Sequence, residues 1–184
     1  RFKPFLAFKK YFWYFSTLWK FSRLKKHNYK FKTIMLYPCL FDDTVITPIE
    51  PIYFYQDLWF ASHIFRRKPK IHFDIGSSVK TISILAQFTK IVFVDIRPPN
   101  IDVPNMEFIK GDITNLPFAD NSVSSLSSLC VIEHIGLGRY GDELEQFGSE
   151  KAILEIKRVL APGGLLYISV PVDSENKLYY NAHR

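Results

Sequence analysis

The chain has 184 residues, a net charge of +6 and an unusual number of aromatic side chains (17 Phe, 10 Tyr and 3 Trp). Its length suits one domain with a small appendage, and its 47% hydrophobic and 23% charged residues exclude a disordered, collagen-like or disulfide-scaffold protein. The charge is uneven, because residues 1–33 carry ten Lys or Arg and no acid, whereas the other 151 residues carry 14 basic and 18 acidic groups. A basic, aromatic leader therefore precedes a mildly acidic globule.

The two cysteines, Cys39 and Cys130, are too few for a secreted disulfide framework, and no CxxC or HExxH spacing predicts a metal site. The longest uncharged stretch of the leader has nine residues, about half of what a membrane-spanning helix needs. No signal peptide is recognisable. We therefore expect a cytoplasmic protein, either free or peripheral on a membrane. Because the chain starts with Arg1 and stops at Arg184, we also expect it to be a fragment.

The leader, residues 1–33, is the first predicted element, and it reads as a helix or helical pair with an aromatic stripe. Phe and Trp recur there at helical spacing while lysines fall largely on other faces. This pattern is typical of an interfacial helix on an anionic membrane, and also of a helix that packs on its own domain or on a partner. Nucleic-acid binding has no further support in the sequence and is not expected. The stripe comprises Phe5, Phe8, Phe12, Phe15 and Trp19.

Residues 34–70 read as an irregular connector followed by a helix from Gln56 to Arg67, with Leu58, Trp59, Ile64 and Phe65 facing a core. From residue 71 the pattern alternates between strands and helices, which predicts an α/β domain with a mostly parallel sheet and flanking helices over 71–184. The predicted strands are Ile71–Ile75, Ile91–Ile96, Glu107–Ile109, Val123–Leu129 and Leu165–Val170, and the predicted helices are Val79–Phe88 and Glu150–Leu160.

Polar residues at the ends of the first three strands indicate a ligand site, because ligands bind at the carboxyl ends of parallel strands. In the turn at 74–78, Gly76 lets the backbone pass close to a ligand, but the further glycines of a dinucleotide site are absent, which counts against NAD or FAD. Asp95 follows at the spacing of a carboxylate that accepts ribose hydroxyl protons. Asp112 could accept from an adenine amine or could simply cap a turn.

The segment after the fourth strand carries the candidate catalytic residues. Glu133 and His134 precede a loop with three glycines at 136–142, and His134 suits proton abstraction from a hydroxyl or amine, although a structural histidine is the alternative. Arg139 and Tyr140 in that loop could position a polar or anionic acceptor. His183 lies just past the fifth strand and could approach the same cleft. Cys130 reads as a buried residue at the strand end rather than a nucleophile.

Together these residues resemble the class I S-adenosylmethionine-dependent methyltransferases. The resemblance covers residues 70–172 and rests on His72-Phe73-Asp74-Ile75-Gly76, Val94-Asp95, Gly111-Asp112-Ile113, Glu133-His134 and Arg158-Val159-Leu160-Ala161-Pro162-Gly163-Gly164. Over about residues 53–184 the chain looks still more like an uncharacterised methyltransferase-like family classed as a domain of unknown function. That closer likeness rests on Gln56-Asp57-Leu58-Trp59, Asp95-Ile96-Arg97-Pro98, Gly136 to Asp142 and Asn181-Ala182-His183-Arg184.

The resemblance implies a Rossmann-like methyltransferase fold and S-adenosylmethionine as cofactor. Such folds normally have seven strands, so the five predicted here imply that the last two are missing. The loop after the first strand also departs from the family pattern, because Ser78 and Lys80 occupy positions that are usually glycine. By position, the implied cofactor-binding residues are Asp74, Gly76, Ser77, Ser78, Asp95, Ile96, Asp112 and Ile113.

The first hypothesis is therefore methyl transfer to an oxygen, or less favourably a nitrogen, of a small molecule or glycan. His134 and Glu133 would be the catalytic residues, and Arg139, Tyr140 and His183 would contact the acceptor. The second hypothesis is a catalytically inactive module that acts as a membrane-associated interaction protein. A NAD-dependent oxidoreductase or epimerase is a third, weakened by the missing glycines and by the absence of a Tyr-x-x-x-Lys pair.

Overall fold

The computed structural model describes residues 4–24, 35–175 and 177–183. The chain divides into two compact units, residues 1–50 and 51–184. In the first unit, helix α1 spans Pro4–Ser22, so the predicted leader helix is present, whereas residues 25–33 of the leader lie outside the described residues. None of the helices in the described ranges is long and apolar enough to cross a membrane.

Helix α1 presents its aromatic stripe to solvent. Phe5, Phe8 and Phe12 are 71–72% exposed, and Phe15 and Trp19 are more than half exposed. Cations lie over two of these rings, with the Lys9 Nζ 4.6 Å from the Phe5 centroid and the Arg23 guanidinium 3.9 Å from the Trp19 centroid. The stripe is therefore an exposed surface bordered by positive charge.

The second unit contains the alternating elements that the sequence predicts. Helix α2 begins at Pro51, five residues before the predicted start, because proline is favoured in the first turn of a helix, where its missing N–H costs nothing. The helices are α2 (Pro51–Arg67), α3 (Val79–Leu85) and α4 (Gly148–Val159), and a 3₁₀ turn spans Ile132–His134. The strands are β1 (Ile71–Ile75), β2 (Lys90–Asp95), β3 (Met106–Lys110), β4 (Val123–Leu129) and β5 (Leu160–Ser169).

The five strands form one parallel sheet in the order β3-β2-β1-β4-β5. This is the order of the first five strands of doubly wound Rossmann-type sheets, so the predicted α/β, Rossmann-like fold is confirmed. The strand order reverses between β1 and β4, where Asp74 pairs in register with Ser127. Such a reversal opens a crevice at the carboxyl ends of the strands.

Hydrophobic clusters pack on both faces of the sheet. On β2, Ile91 and Phe93 join a cluster with α2 and α3, while Val94 joins a cluster with α4. Alternate residues of a strand point to opposite faces, so this division places α2 and α3 over one face and α4 over the other. The four central residues of β2, at 91–94, are buried, which explains its nearly continuous apolar sequence.

The predicted inward face of α2 is partly wrong, and the buried face of α4 includes only some of its large apolar residues. On α2, Ile64 is buried as predicted, but Phe60 is the other buried residue, whereas Leu58, Trp59 and Phe65 are exposed. On α4, Ile156 and Val159 are buried with Ala152, while Ile153 and Leu154 are exposed. The small side chain of Ala152 lets α4 pack closely on the sheet. A pattern based on large apolar residues does not predict that such an alanine is buried.

Candidate active site

A cavity of about 300 Å³ lies at the carboxyl ends of β1, β2, β3 and β4. This volume is at the lower end of the range for ligand pockets, and the position is the one at which doubly wound sheets bind ligands. Its wall includes Gly76, Asp95, Ile96, Asp112, Ile113, His134 and Tyr140 from the predicted site, together with Arg97, Cys130, Val131, Asp142, Glu143, Glu145 and Lys151.

The Gly76 turn brings the backbone close to the cavity. Gly76 has φ +68°, and a Cβ added there would lie 3.1 Å from Val131 Cγ1 and 3.8 Å from the Asp95 Oδ2 atom. Only glycine takes up this left-handed conformation readily and leaves that space open. The turn therefore exposes main chain directly beside the Asp95 carboxylate.

Asp95 and Asp112 each use one carboxylate oxygen to order the chain after their strand. The Asp95 Oδ1 atom accepts the N–H of Arg97 at 2.6 Å, and the Asp112 Oδ1 atom accepts both the N–H and the hydroxyl of Thr114 at 2.8 Å. These bonds fix the carboxylates at adjacent strand ends. Both carboxylates line the cavity.

The Asp74 side chain lies in the core beneath the turn and not in the cavity wall. It is fully buried, as is His72, and it accepts hydrogen bonds from the hydroxyl groups of Ser77 and Ser127. Burial raises the pKa of Asp74 to about 7, although the bonds from Ser127 and Ser77 oppose the rise. Asp74 and Ser77 thus hold the turn from inside, and Ser78 is an exposed residue that precedes α3.

His134 lines the cavity, and its ring orientation is set by the segment that follows β5. The His134 Nδ1 atom lies 2.5 Å from the Ala182 carbonyl oxygen, which can only accept, so Nδ1 carries the proton in that bond. A neutral ring then keeps its lone pair on Nε2, which lies 3.8 Å from the Glu133 Oε1 atom. This lone pair makes His134 a competent proton acceptor.

Glu133 is a buried carboxylate that does not line the cavity. Its side chain is 6% exposed, and the Oε2 atom has no hydrogen-bond partner among the described residues. Burial raises the pKa of Glu133, and a backbone hydrogen bond and the neighbouring His134 partly oppose the rise. The Glu133 carboxylate therefore lies beside the His134 imidazole on the buried side of the ring, away from solvent.

The glycine loop after His134 is organised by Asp142. Its Oδ2 atom accepts the N–H groups of Gly136 and Gly138 at 2.8 and 3.3 Å, and its Oδ1 atom accepts that of Tyr140 at 3.2 Å. Burial raises the pKa of Asp142, but the backbone bonds outweigh it, so the pKa lies below its ordinary value. Three converging N–H groups give the loop a defined shape.

Two predicted acceptor-contacting residues border the cavity from outside its wall. The Arg139 Nη1 atom donates to the Ala182 carbonyl at 3.1 Å, and the His183 ring centroid lies 6.5 Å from that of His134. His183 also lines a second, open cavity of about 1170 Å³ that shares Gly136 with the first. The structure therefore brings His183 and Arg139 next to His134.

The wall also contains residues that the sequence analysis did not assign to the site. Arg97 was noted only as part of a motif, and the Lys151–Glu145 ion pair lies far along the chain from the strand ends. Only the position of Arg97, two residues after Asp95, could have indicated its place. Within 4–24, 35–175 and 177–183, no group of three or more His, Cys, Asp or Glu side chains is placed to hold a metal ion.

Residues 102–184 match the model of a family described as a Caenorhabditis protein of unknown function, DUF268. The predicted resemblance to an uncharacterised family is confirmed over this segment. The matched segment, 102–184, includes Asp112, His134, Tyr140 and His183 of the predicted site. No curated protein matches the chain.

Solved structures with similar folds include methyltransferases. The PH0226 protein from Pyrococcus horikoshii is 23% identical, with 69% of this chain and 61% of that chain covered and a TM-score of 0.48. The YcgJ protein from Bacillus subtilis is 20% identical, with 62% and 50% covered and a TM-score of 0.49. Phosphoethanolamine N-methyltransferase 1 from Haemonchus contortus, solved with phosphoethanolamine and S-adenosylhomocysteine, is 17% identical, with 70% and 29% covered and a TM-score of 0.45. The chain thus spans 29–61% of the length of these three proteins.

Proposed function

We propose that this protein is an S-adenosylmethionine-dependent methyltransferase that acts on a hydroxyl, or less favourably an amine, of a small molecule or glycan. The observation that carries the proposal is the convergence of Gly76, Asp95 and Asp112, from the ends of three adjacent strands, on one cavity that His134 also lines. The order of the motifs along the chain supports the same function.

The residues of the cavity suit this cofactor. Gly76 would leave room for its methionine part, and the Asp95 Oδ2 atom, on the side of the open turn, would accept a ribose hydroxyl. Asp112 with Ile113 would face the adenine. Carboxylates outnumber cations on the cavity wall, with Asp95, Asp112, Asp142, Glu143 and Glu145 against Arg97 and Lys151, which suits the positive charge of the cofactor's sulfonium.

The bound cofactor would supply an electrophilic methyl group on a sulfonium sulfur. The protein would hold the acceptor in line with that methyl, which is a large part of the catalysis of a direct displacement. His134 would take the proton of the acceptor on Nε2, while its Nδ1–H continues to donate to the Ala182 carbonyl. Glu133 would stabilise the resulting imidazolium from the buried side, so we assign it a positioning role through His134.

Calorimetric titration with S-adenosylhomocysteine tests the cofactor assignment. Wild-type protein should bind, and Asp95→Ala should bind at least about ten-fold more weakly, because a hydrogen bond to a charged group is worth roughly 1.5–3 kcal/mol. Asp102→Ala, an exposed aspartate outside the cavity wall, is the matched control and should bind like wild type. Equal affinity in the Asp95 variant would remove the ribose assignment, and no binding to the intact chain would reject the proposal.

A catalytically inactive methyltransferase-like module remains the alternative, and Ser78 and Lys80 in place of glycines favour it. Incubation of cell lysate with a radioactive methyl donor separates the two. An enzyme labels an acceptor, and that labelling should disappear with Asp95→Ala. A protein that binds the cofactor but labels nothing would identify the inactive module.

We propose in addition that α1 attaches the protein to an anionic membrane surface. The exposed stripe supports this, since Phe and Trp side chains would enter the lipid boundary while the cations of the leader face lipid phosphates. Sedimentation with phosphatidylserine vesicles at low salt is the measurement. Removal of residues 1–33 should abolish binding, and Phe12→Ser should weaken it about ten-fold from the lost apolar burial.

Two controls give that experiment its specificity. Phe41→Ser changes an exposed phenylalanine outside α1 and should leave sedimentation unchanged. Vesicles of phosphatidylcholine alone should bind much less, because the polybasic attraction is electrostatic. Wild-type protein that stays in the supernatant with anionic vesicles would contradict the membrane role.

A further inference from the structure

The mouth of the cavity carries two arginines around one tyrosine ring. The Arg97 guanidinium lies 4.7 Å from the Tyr140 ring centroid, and the Arg139 guanidinium lies 5.0 Å from it. Arg97 comes from the segment after β2 and Arg139 from the glycine loop, so residues more than 40 positions apart in the chain build this cluster. Both arginines are exposed, while Tyr140 is half-buried and lines the cavity.

Neither of these two cations is in a direct ion pair among the described residues, although the Arg139 charge also acts on the buried Glu133 carboxylate, whose pKa it lowers against the effect of burial. Within the described part of the chain, neither Arg97 nor Arg139 forms an ion pair, and Arg139 donates only to a neutral carbonyl and approaches His134. The Asp142 carboxylate of the cavity wall is held by three backbone N–H groups and not by either arginine. Another positive wall residue, Lys151, is paired with Glu145.

Tyr140 holds the two guanidinium groups near each other. Both lie within 5.0 Å of the same ring centroid, so the two charges are within about one Debye length, ~10 Å at 0.1 M salt. Contact with the ring leaves the N–H fork of Arg97 available for an anion, and Arg139, whose Nη1 atom donates to the Ala182 carbonyl, keeps its other N–H groups for the same purpose. Arginine forks match phosphate and carboxylate oxygens in pairs, which a single lysine does not.

The cluster is also next to the proposed base. The Tyr140 and His134 rings meet edge to face with centroids 5.7 Å apart. The Arg139 Nη1 atom lies 3.4 Å from the His134 Nδ1 atom, so a group bound by this arginine would lie close to the His134 ring. This placement suits an anchor that orients an acceptor for methyl transfer.

We propose that the methyl acceptor is an anion, and that Arg97 and Arg139, held on Tyr140, bind its phosphoryl or carboxylate group. This inference rests on the proposed methyltransferase function and names the substrate class for it. Arg97 becomes a specificity-determining residue in addition to Arg139. The anionic group anchors the acceptor while a separate hydroxyl or amine of the same molecule points toward His134.

The experiment uses the intact chain saturated with S-adenosylhomocysteine and titrated with inorganic phosphate in one arm and acetate in the other. We expect one or both anions to bind, and Arg97→Gln and Arg139→Gln each to weaken that binding about ten-fold or more. Arg66→Gln, an exposed arginine of α2 outside the cavity wall, is the matched control and should bind like wild type. Phosphate binding alone points to a phosphorylated acceptor and acetate binding alone to a carboxylic acid.

The affinity for S-adenosylhomocysteine is measured in the same variants. It should remain within about two-fold of wild type in Arg97→Gln, because the arginine sits on the acceptor side; an affinity that falls with the anion affinity would assign Arg97 to the cofactor and overturn the inference. If neither anion binds, or if both arginine variants bind anions like wild type, the inference is also wrong. If the protein fails to bind S-adenosylhomocysteine, the proposed function fails, and anion titration of the free protein still decides whether the arginines form an anion site.

Discussion

The Asp74 carboxylate accepts both the backbone N–H and the hydroxyl of Ser77, at 3.1 and 2.7 Å. The Ser77 oxygen in turn accepts the N–H of Leu129 at 3.0 Å, so one serine ties the turn after β1 to the end of β4. The Gly76 turn is thereby fixed from both strands that flank the reversal in the sheet. Cavity geometry at this point depends on a residue that does not touch the cavity.

The same carboxylate terminates a chain of buried hydrogen bonds. An ionised Asp74 can only accept, so the Ser127 hydroxyl donates to it, and Ser127 accepts from the His72 Nε2 atom at 2.8 Å. The His72 Nδ1 atom then accepts from the Ser125 hydroxyl at 2.7 Å. Burial lowers the pKa of His72 to about 3, so the imidazole is neutral, and this direction of bonds holds when Asp74 is ionised, which is above its pKa of about 7.

Replacement of Asp74 by asparagine should remove a pH-dependent part of the stability. Burial raises the pKa of Asp74 from 3.8 to about 7, so the folded state binds the proton more tightly and loses stability as the pH rises from about 4 to about 7. A shift of this size corresponds to on the order of 4 kcal/mol. Denaturant unfolding across this pH range should show a steeper decline in wild type than in Asp74→Asn, which keeps only the contribution of other groups such as Glu133. Parallel curves for the two proteins would contradict a buried, titrating Asp74, and Asp102→Asn should follow wild type.

Ser127→Ala should destabilise the protein although it removes only one oxygen. The loss leaves the buried Nε2 N–H of His72 without an acceptor and removes one of the hydrogen bonds to the Asp74 carboxylate, which costs about 1–3 kcal/mol. Ser83→Ala, which removes an exposed hydroxyl bonded to the Lys80 carbonyl, is the matched control and should change the free energy of unfolding by less than about 0.5 kcal/mol. Urea unfolding at pH 7 measures both, and similar values for the two variants would show that the buried chain adds no stability.

Gly76→Ala should affect both stability and cofactor binding. The alanine would be strained at φ +68° and its Cβ would lie 3.1 Å from Val131 Cγ1, next to the space proposed for the cofactor. Gly163→Ala has a similar φ of +75° with no atom within 4 Å of its Cβ, so it measures the backbone cost alone, about 1–2 kcal/mol. We expect both variants to unfold more easily, but only Gly76→Ala to bind S-adenosylhomocysteine more weakly. Unchanged affinity in Gly76→Ala would place the cofactor elsewhere.

Once an acceptor is identified, substitutions of His134 and Glu133 should have different effects on kcat and KM. His134→Asn should lower kcat by about 10²–10⁴-fold if the acceptor loses a proton in the reaction, whereas His63→Asn on α2 should not. Glu133→Gln should lower kcat with little change in KM, because Glu133 lies outside the cavity wall and acts through the His134 ring. A rise in KM alone would show that Glu133 shapes the acceptor site instead. Glu107→Gln on β3 is the exposed control.

The hydrophobic periodicity of the sequence predicts most of the helices and strands, because secondary structure depends largely on residues that are neighbours in the chain. Predicted and observed bounds coincide for β1 and β4, and the other strands overlap their predictions. The buried faces of the helices are predicted less well from the sequence. Phe60 and Ala152 are buried because the surfaces that α2 and α4 cover are shaped by strands remote in sequence, and apolar periodicity cannot weigh an alanine against a leucine.

The length, the charge division and the order of strands and motifs are determined by the sequence alone, and they already place Gly76, Asp95 and Asp112 at strand ends. Only the tertiary structure decides whether each polar side chain near the strand ends faces the cavity or is buried in the core. Asp74 and Glu133 are buried, whereas Arg97 reaches Tyr140 at the cavity mouth. The physical reason is that burial and hydrogen-bond partners come from other strands and loops: Ser127 lies 53 residues from Asp74, and Ala182 lies 48 residues from His134. Such partners exist only once the sheet has assembled.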